Sequence, residues 1–329
     1  MADSLNLTKL ADSLEEYARE NYDNIYGRAM IPGVDQGVDG SAIVPIDDYM
    51  TSIQTSDEVV LSELEIGDVA QPGGKDSFNP TENAVTPSAR IGKVRQVKVD
   101  VLFSHTKIMA LYKSWLGKVK AKRINPEEVP LEEYITAGIL AKYRENIRVK
   151  TLFNGVYNKA GNTPLDVMDG LRTQILAEIT SGGIPSANII DTAVITVDNA
   201  VAEFEKMLAA IPDAELYGDM VCVTSRQLKT FYELNFRKLY GTLPYNTGQE
   251  KAVIVGSNIR FVVEPGLADF KRPLFTPKGN LVYLYDDMDG ADTLATDYNK
   301  RERNLAWLMD AQVGAGIAQP NRIWTNDGV

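Results

Sequence analysis

This 329-residue chain has few of the side chains that most often act as nucleophiles, general bases or zinc ligands. It contains one cysteine, Cys222, and one histidine, His105. Cys222 stands between Val221 and Val223, in a short apolar run typical of a buried strand. A buried, inert thiol is therefore expected there, not a nucleophile, for which no partner histidine pattern exists. His105 follows a predicted strand and is interpreted as an ordinary structural histidine. The alternative is a pH switch, because imidazole titrates near neutral pH.

The acidic cluster Asp286–Asp292 invites a calcium interpretation, because carboxylates are the ligands that Ca²⁺ prefers. Placing Gly290 as the turn glycine of an EF-hand would put Tyr285 at the first ligand position, so the spacing fails and a solvated turn is favoured. One histidine and one cysteine are too few for a structural zinc site. Phosphate loops, dinucleotide loops and Ser–His–Asp orders are absent from the sequence. The sequence therefore predicts a protein that is not an enzyme and that needs no cofactor or metal.

The charge distribution is strongly asymmetric. The net charge of −11 argues against a dedicated DNA-binding domain with a broad basic face. Residues 1–89 contain 17 acidic and 4 basic residues, a net charge of −13, and residues 90–160 contain 15 basic and 6 acidic residues, a net charge of +9. These segments could pair within one compact monomer, or the acidic segment of one subunit could lie against the basic segment of another.

Hydrophobic residues make up 44% of the chain, which is enough for a sizeable core. No apolar run approaches the roughly 20 residues that span a bilayer. The N-terminal stretch from Met1 to Tyr22 lacks the basic and apolar regions of a signal peptide, so none is expected. A single cysteine excludes an intrachain disulfide and fits a reducing cytoplasm.

The patterning predicts an α+β protein. An amphipathic helix is predicted over residues 5–26, followed by an extended arm to residue 41. Residues 42–103 form a predicted two-limbed β excursion with a turn-rich tip at 70–88, and Val97, Val99 and Val101 share one face of its second limb. Such a long hairpin is only marginally stable alone in water, so we expect it to pack against another protein surface.

Downstream, a short helix near 104–117 precedes a predicted helix of about 24 residues over 131–154, with Gly155 as its stop. Another helix is predicted from Thr163-Pro164 to Gly182. An alternating α/β section follows, with a helix that Asp198 could cap, the strand Met220–Thr224 and a helix from Ser225 to Gly241. The remaining predicted strands are 252–263, 281–285 and 304–309.

This order of elements resembles the Hong Kong 97 fold of tailed-phage and related capsid proteins. The most specific part is the ending, where Leu305–Met309 leads into the glycine-bearing stretch Gly314–Ile317 and the segment Gln319–Ile323, similar to a closing strand, a turn and a short apolar-proline segment. The resemblance divides the chain into five parts: an N-terminal arm (1–41), an extended β loop (42–103), a peripheral domain (104–185) with a long spine helix (131–154), an α/β axial domain (186–290) and a return to the peripheral domain (291–329).

The resemblance implies a major capsid protein of a tailed bacteriophage that forms pentamers and hexamers and encloses double-stranded DNA. Its expected partners are further copies of itself, a portal, a separate scaffold protein or none, possible decoration proteins, and packaged DNA through non-specific contact, with no membrane. Its expected location is the virion capsid, assembled in the host bacterial cytoplasm. An encapsulin-like nanocompartment shell is the alternative, and packaged DNA or cargo enzyme would distinguish the two.

Six residues are the predicted subunit contacts. Two are at the loop tip and four are on the spine helix: Lys75, Phe78, Lys142, Arg144, Arg148 and Lys150. The run Lys118–Arg123 could touch DNA phosphates, although a solvated or subunit-facing surface is favoured. Some members of the family that the chain resembles form Lys–Asn isopeptide cross-links. Lys75 and Asn321 are the chemically possible pair here, but such a cross-link is not expected.

Overall fold

Two larger β-sheets with helices packed on them make up most of the computed structural model. It describes residues 7–20, 45–61, 64–66, 85–87, 90–121, 131–241, 253–286 and 294–328. Short 3₁₀ turns join the larger elements, at Ile46–Asp48, Pro164–Asp166, Ser186–Asn188, Pro265–Leu267 and Pro320–Arg322.

The first sheet is built around the longest strand, β13 (Asn304–Ile317). One edge of β13 pairs antiparallel with β11 (Leu281–Asp286) and with β12 (Leu294–Asn299). Its other edge pairs antiparallel with β6 (Arg95–Ser104). The strand β1 (Met50–Gln54) completes the sheet and runs parallel to β11.

Helices cover one face of this sheet. The helix α1 (Leu7–Glu20) packs on β12, α2 (His105–Lys120) packs on β6, and α3 (Leu131–Glu145) contacts both helices. The buried Leu7, Leu10 and Leu14 form the predicted stripe of α1. The prediction of this amphipathic helix is confirmed over residues 7–20.

The predicted long helix is also confirmed. The helix α3 continues through a π-helical segment, Asn146–Thr151, and ends in the single turn α4 (Leu152–Asn154). These contiguous elements, residues 131–154, are called the spine helix below, and their length is about 36 Å if each residue rises about 1.5 Å. Its apolar side packs on the buried face of β6 and β13.

The excursion between β1 and β6 contains two paired limbs, as predicted. The strand β2 (Glu58–Val60) pairs with β5 (Ile91–Lys93), and β3 (Leu64–Ile66) pairs with β4 (Val85–Pro87). The predicted bounds of 42–103 are too wide, however, because β1 and β6 belong to the central sheet and bury residues in its core. Most of the predicted tip, 70–88, lies outside the described residues.

The second sheet contains the strands β7 (Ile189–Ile190), β8 (Met220–Thr224), β9 (Arg260–Val263), β10 (Leu274–Pro277) and β14 (Trp324–Asn326). Their spatial order is β7-β14-β10-β8-β9. Two helices, α6 (Ala200–Ala209) and α8 (Arg226–Tyr240), share an apolar cluster with this sheet. The short helix α7 (Asp213–Leu216) precedes β8. As predicted, the Ser225 side chain accepts a hydrogen bond from the Leu228 amide, and Gly241 ends α8 at φ 70°.

Three sequence predictions are wrong in their bounds. The helix expected from Thr163 to Gly182 is a 3₁₀ turn followed by α5 (Leu171–Ser181), because Gly170 is extended and its amide bonds to the Gly155 carbonyl. The strand expected over 252–263 shortens to β9, since the chain turns at Gly256 with φ 85°. The expected boundary at residue 290 also fails, because β11 pairs in the first sheet and β14 in the second.

Candidate subunit-contact surfaces

The β2–β5 hairpin presents an exposed face on which an apolar pair, Val60 and Ile91, lies beside the Glu58–Lys93 ion pair. Val60 and Ile91 are directly opposed in the register, and they are 65% and 55% exposed. The opposite face of the hairpin is seated on the first sheet, where Leu61 and Val94 pack with Leu284. One face of the hairpin is therefore used for folding, and the other is available to a partner.

Two glycines of β13 let the hairpin base approach the sheet. A Cβ at Gly314 would lie within 3.0 Å of the Lys93 carbonyl oxygen, and one at Gly316 would lie equally close to Leu61. The expectation that these glycines form a turn is wrong, because both lie within the strand and pair with β11. Gly314 is required for the close approach of backbone to backbone, and Gly316 makes room for the Leu61 side chain.

The first sheet also has an open face. Along β6, Gln96, Lys98, Asp100 and Leu102 are exposed and alternate with residues that face the helices. The same alternation along β13 exposes Leu308 and Asp310. This face carries apolar and charged side chains together, as the rim of a wet protein interface does.

The four predicted spine-helix contacts divide into two kinds. Lys142 and Lys150 are exposed, and Lys142 Nζ lies 2.8 Å from Glu145 Oε1 in the same helix. Arg144 is half-buried. The prediction that Arg148 faces a neighbouring subunit is wrong, because its side chain is buried and its Nη2 lies 2.7 Å from Glu264 Oε1 of its own chain.

The Arg148 side chain is held inside the protein by the buried Glu264 carboxylate. Glu264 follows β9, and the phenol of Tyr49, just before β1, lies beside it, so three separate elements meet at one ion pair. Burial raises the pKa of Glu264 above its usual value, and the Arg148 guanidinium opposes that shift. Burial also raises the pKa of Tyr49 strongly, with the Glu264 carboxylate adding to the effect. This arrangement stabilises the subunit itself and offers no charge to a partner.

The remaining candidate residues from the sequence are spread over several elements of the fold. His105 is exposed at the first turn of α2, and Cys222 is buried in the centre of β8, where burial raises the pKa of its thiol. Lys118 Nζ donates a hydrogen bond to the Tyr134 hydroxyl at 2.8 Å. Lys75 and Phe78, residues 122 and 123, and residues 287–292 of the acidic cluster lie outside the described residues.

An open groove of about 1680 Å³ runs between β6 and the spine helix, and Val97, Val99, Ile139 and Tyr143 are among the residues that line it. Among the described residues, no group of three His, Cys, Asp or Glu side chains is placed to hold a metal ion. No described helix is both long and apolar enough to cross a membrane.

Comparison with known protein families and with characterised protein sequences gives no match. Comparison with solved structures gives matches over nearly the whole chain. A chain of the satellite phage P4 procapsid, solved with its size determination protein, has 13% sequence identity and a TM-score of 0.54, covering 100% of this chain and 92% of that one. A protein of Mycobacterium phage Ogopogo has 12% identity and a TM-score of 0.52, covering 90% and 94%.

The chain has the Hong Kong 97 fold. The SrpI encapsulin complex of Synechococcus elongatus PCC 7942 also contains a similar chain, with 11% identity, a TM-score of 0.50, and coverage of 93% and 95%. The predicted α+β fold class is therefore confirmed. Because the sequence identities are so low, these similarities establish the fold, and the function has to be argued from the surfaces of the chain itself.

Sequence reasoning missed two features of these surfaces. The exposed pair Val60 and Ile91 could not be found, because it depends on the register of two strands that are well separated in the sequence. The partner of Arg148 was missed because Glu264 is remote in the sequence and no local signal marks a buried carboxylate. The sequence contains one signal of this burial: Arg148 is a cationic residue next to Ile147, one of the apolar positions of the spine helix.

Proposed function

We propose that this chain is the major capsid protein of a tailed bacteriophage, a structural subunit without catalytic activity. The observation that carries the proposal is the match of the entire chain to a chain of the satellite phage P4 procapsid. The uncovered Val60–Ile91 face supports it, because an apolar hairpin face that folding does not use is suited to burial against a neighbouring copy.

The proposed mechanism is assembly. Subunits associate into pentamers and hexamers through many modest contacts, and the number of contacts per subunit makes a closed shell stable. Lys142, Arg144 and Lys150 on the spine helix, and Lys75 and Phe78 at the predicted loop tip, remain proposed contacts. The shell would enclose double-stranded DNA through non-specific contacts, and a portal and scaffold or decoration proteins would be its further partners. It would be assembled in the host bacterial cytoplasm and located in the virion capsid.

An encapsulin-like nanocompartment shell is the second candidate, and the similarity to a chain of the SrpI encapsulin complex favours it specifically. The two functions differ in what the particle contains. Electron microscopy of the purified protein should show closed icosahedral shells. When the chain is expressed with the other genes of its own genome, nuclease-protected double-stranded DNA in those shells would support the capsid, and a co-purifying enzyme without DNA would support the nanocompartment. A protein that stays a compact monomer under all assembly conditions would contradict both.

A further inference from the structure

The helix α2 has an exposed side that is basic. It contains four lysines and no acidic residue. Lys107, Lys113 and Lys120 are exposed, and none of them pairs with a carboxylate among the described residues. A cationic helix face without carboxylate partners among the described residues is available to negative charge on another molecule.

Small residues separate these lysines. Ala110, Ser114 and Gly117 are exposed and recur at three- and four-residue steps, so they form one narrow strip along α2. A Cβ at Gly117 would have no atom within 4 Å. A strip of small side chains bordered by lysines allows another helix to approach closely while its acidic residues reach the lysines on either side.

The helix α1 carries the complementary charge. Asp12, Glu16 and Glu20 are exposed and stand at four-residue steps, which places them in one row on the side of α1 that faces away from its buried leucines. The row is about 12 Å long, and Lys113 and Lys120 are about 10.5 Å apart along α2, at about 1.5 Å per residue. The separation of Lys113 and Lys120 is therefore close to the length of the acidic row, and Lys107 lies about 9 Å further along α2 from Lys113.

These two helices lie on opposite flanks of the peripheral part of the subunit. The helix α1 packs on β12 and α2 packs on β6, and these strands flank β13 on opposite sides. The helix α3 contacts both α1 and α2. One subunit thus presents an acidic row on one flank and a basic strip on the other.

We propose that the basic strip of α2, defined by Lys107, Lys113 and Lys120, docks against the acidic row of α1, defined by Asp12, Glu16 and Glu20, of a second copy of this chain. The contact is head-to-tail, because the two surfaces differ, and such contacts close into rings or continue as arrays. The inference rests on the proposed function, which it deepens by naming the surfaces that join neighbouring subunits. Complementary charges orient the docking and disfavour wrong registers.

The test uses two full-length triple variants. The α2 variant carries Lys107→Glu, Lys113→Glu and Lys120→Glu, and the α1 variant carries Asp12→Lys, Glu16→Lys and Glu20→Lys. In each variant both flanks have the same sign, so neither should assemble alone, and the concentration for half-assembly should rise by about tenfold or more. In an equimolar mixture the two variants should associate with each other into heterodimers and even-numbered rings, because each basic flank then meets an acidic one. A five-membered ring cannot alternate the two variants, so complete shells are not expected from the mixture. Sedimentation and electron microscopy at low salt measure both results.

A control variant with Lys159→Glu, Lys271→Glu and Lys278→Glu reverses three other exposed lysines and should assemble as the wild type does. Thermal unfolding of each variant checks that it folds, and Gln and Asn substitutions at the same six positions replace any reversal that does not. Normal assembly of the folded α2 variant, or a mixture in which the two folded variants do not associate with each other, overturns the proposal. Normal shells of the α2 variant that lose bound nucleic acid overturn it in favour of a nucleic-acid contact. If the wild type forms no shell, a heterodimer that forms only in the mixture still supports the contact while the proposed function fails.

Discussion

Arg148 and Glu264 form an ion pair that is sealed from solvent, with the Arg148 Nη2 atom 2.7 Å from the Glu264 Oε1 atom. The pair joins the π-helical segment of the spine helix to the chain that follows β9, so it connects the helix layer of the first sheet to the second sheet. A second contact reinforces this junction, because the Asn154 side-chain amide donates to the Gly266 carbonyl. Removing the Arg148 guanidinium would leave the Glu264 carboxylate buried without its cation.

We expect Arg148→Met to lower the free energy of unfolding of the unassembled subunit by about 3–5 kcal/mol, because the Glu264 carboxylate is then buried alone. Denaturant unfolding measures this loss. The control is Lys142→Met, which removes an exposed pair with Glu145 and should change stability by about 0.5 kcal/mol or less. The double variant Arg148→Met, Glu264→Leu should be more stable than Arg148→Met. Equal losses for Arg148→Met and Lys142→Met would show that burial does not govern this pair.

Gly314→Ala should destabilise the subunit, because its methyl group would meet the Lys93 carbonyl oxygen and push the hairpin base off the sheet. Overpacking of this kind costs about 1–3 kcal/mol. The matched control is Gly138→Ala in α3, where a Cβ has open space and alanine should stabilise the helix by about 0.5–1 kcal/mol. Melting temperatures of the two variants should therefore move in opposite directions. A Gly314→Ala protein as stable as the wild type would mean that the hairpin base adjusts freely.

Local signals predicted the elements well and their partners poorly. The spine helix followed from its apolar spacing, and the caps at Ser225 and Gly241 followed from residue type, because helix ends are determined within a few residues. The prediction of a turn at Gly314 was wrong because sequence alone does not distinguish a glycine in a strand from a glycine in a turn. Its requirement comes from Lys93, which lies in a much earlier part of the chain. Arg148 was misread for the same reason, since its burial depends on a carboxylate brought in by the second sheet.

Replacing Val60 and Ile91 together by threonine should impair assembly and leave the subunit folded. Burial of such side chains stabilises an interface by about 1.5–3 kcal/mol each, so the concentration for half-assembly should rise more than tenfold. Light scattering measures assembly, and thermal unfolding of the unassembled subunit should be nearly unchanged because both side chains are exposed. Val156→Thr, at a position that is 58% exposed and outside the hairpin, is the control. Assembly at the wild-type concentration would remove this hairpin face from the proposed contacts.

Reversing the two exposed spine-helix cations, Lys142→Glu and Lys150→Glu, should weaken assembly more than it weakens folding. Each exposed pair contributes only about 0–1 kcal/mol, so the effect should be largest at low salt and should diminish as salt rises. Light scattering across a salt series gives the measurement. Arg148→Glu is the contrast, because it should abolish folding of the subunit instead. Assembly of the double reversal that equals the wild type at every salt concentration would exclude these lysines from the subunit contacts.

Four buried phenol and thiol groups should make the subunit sensitive to alkaline pH. Burial raises the pKa of the Tyr49 and Tyr283 phenols and of the Cys222 thiol well above their usual values, and it also raises the pKa of the Tyr232 phenol. These groups stay protonated in the folded chain and ionise in the unfolded chain once the pH passes their ordinary pKa values. The unfolded chain then binds fewer protons, so their contribution to stability is complete below about pH 8 and is lost as the pH rises towards the folded-state pKa values.

Each such group should lower the free energy of unfolding by about 1.4 kcal/mol per pH unit above its unfolded-state pKa, so the four groups acting together should give a steep loss above about pH 10. Denaturant unfolding of the unassembled subunit between pH 7 and pH 11 measures the slope. The variant Tyr283→Phe removes one ionisable group of four at similar volume, and it should reduce the slope above pH 10 by about a quarter while leaving the slope at pH 7 unchanged. Tyr217→Phe, at an exposed position, should leave the alkaline slope as it is in the wild type. A Tyr283→Phe slope identical to that of the wild type would mean that Tyr283 ionises in the folded chain as readily as in the unfolded one, which its complete burial on β11 argues against.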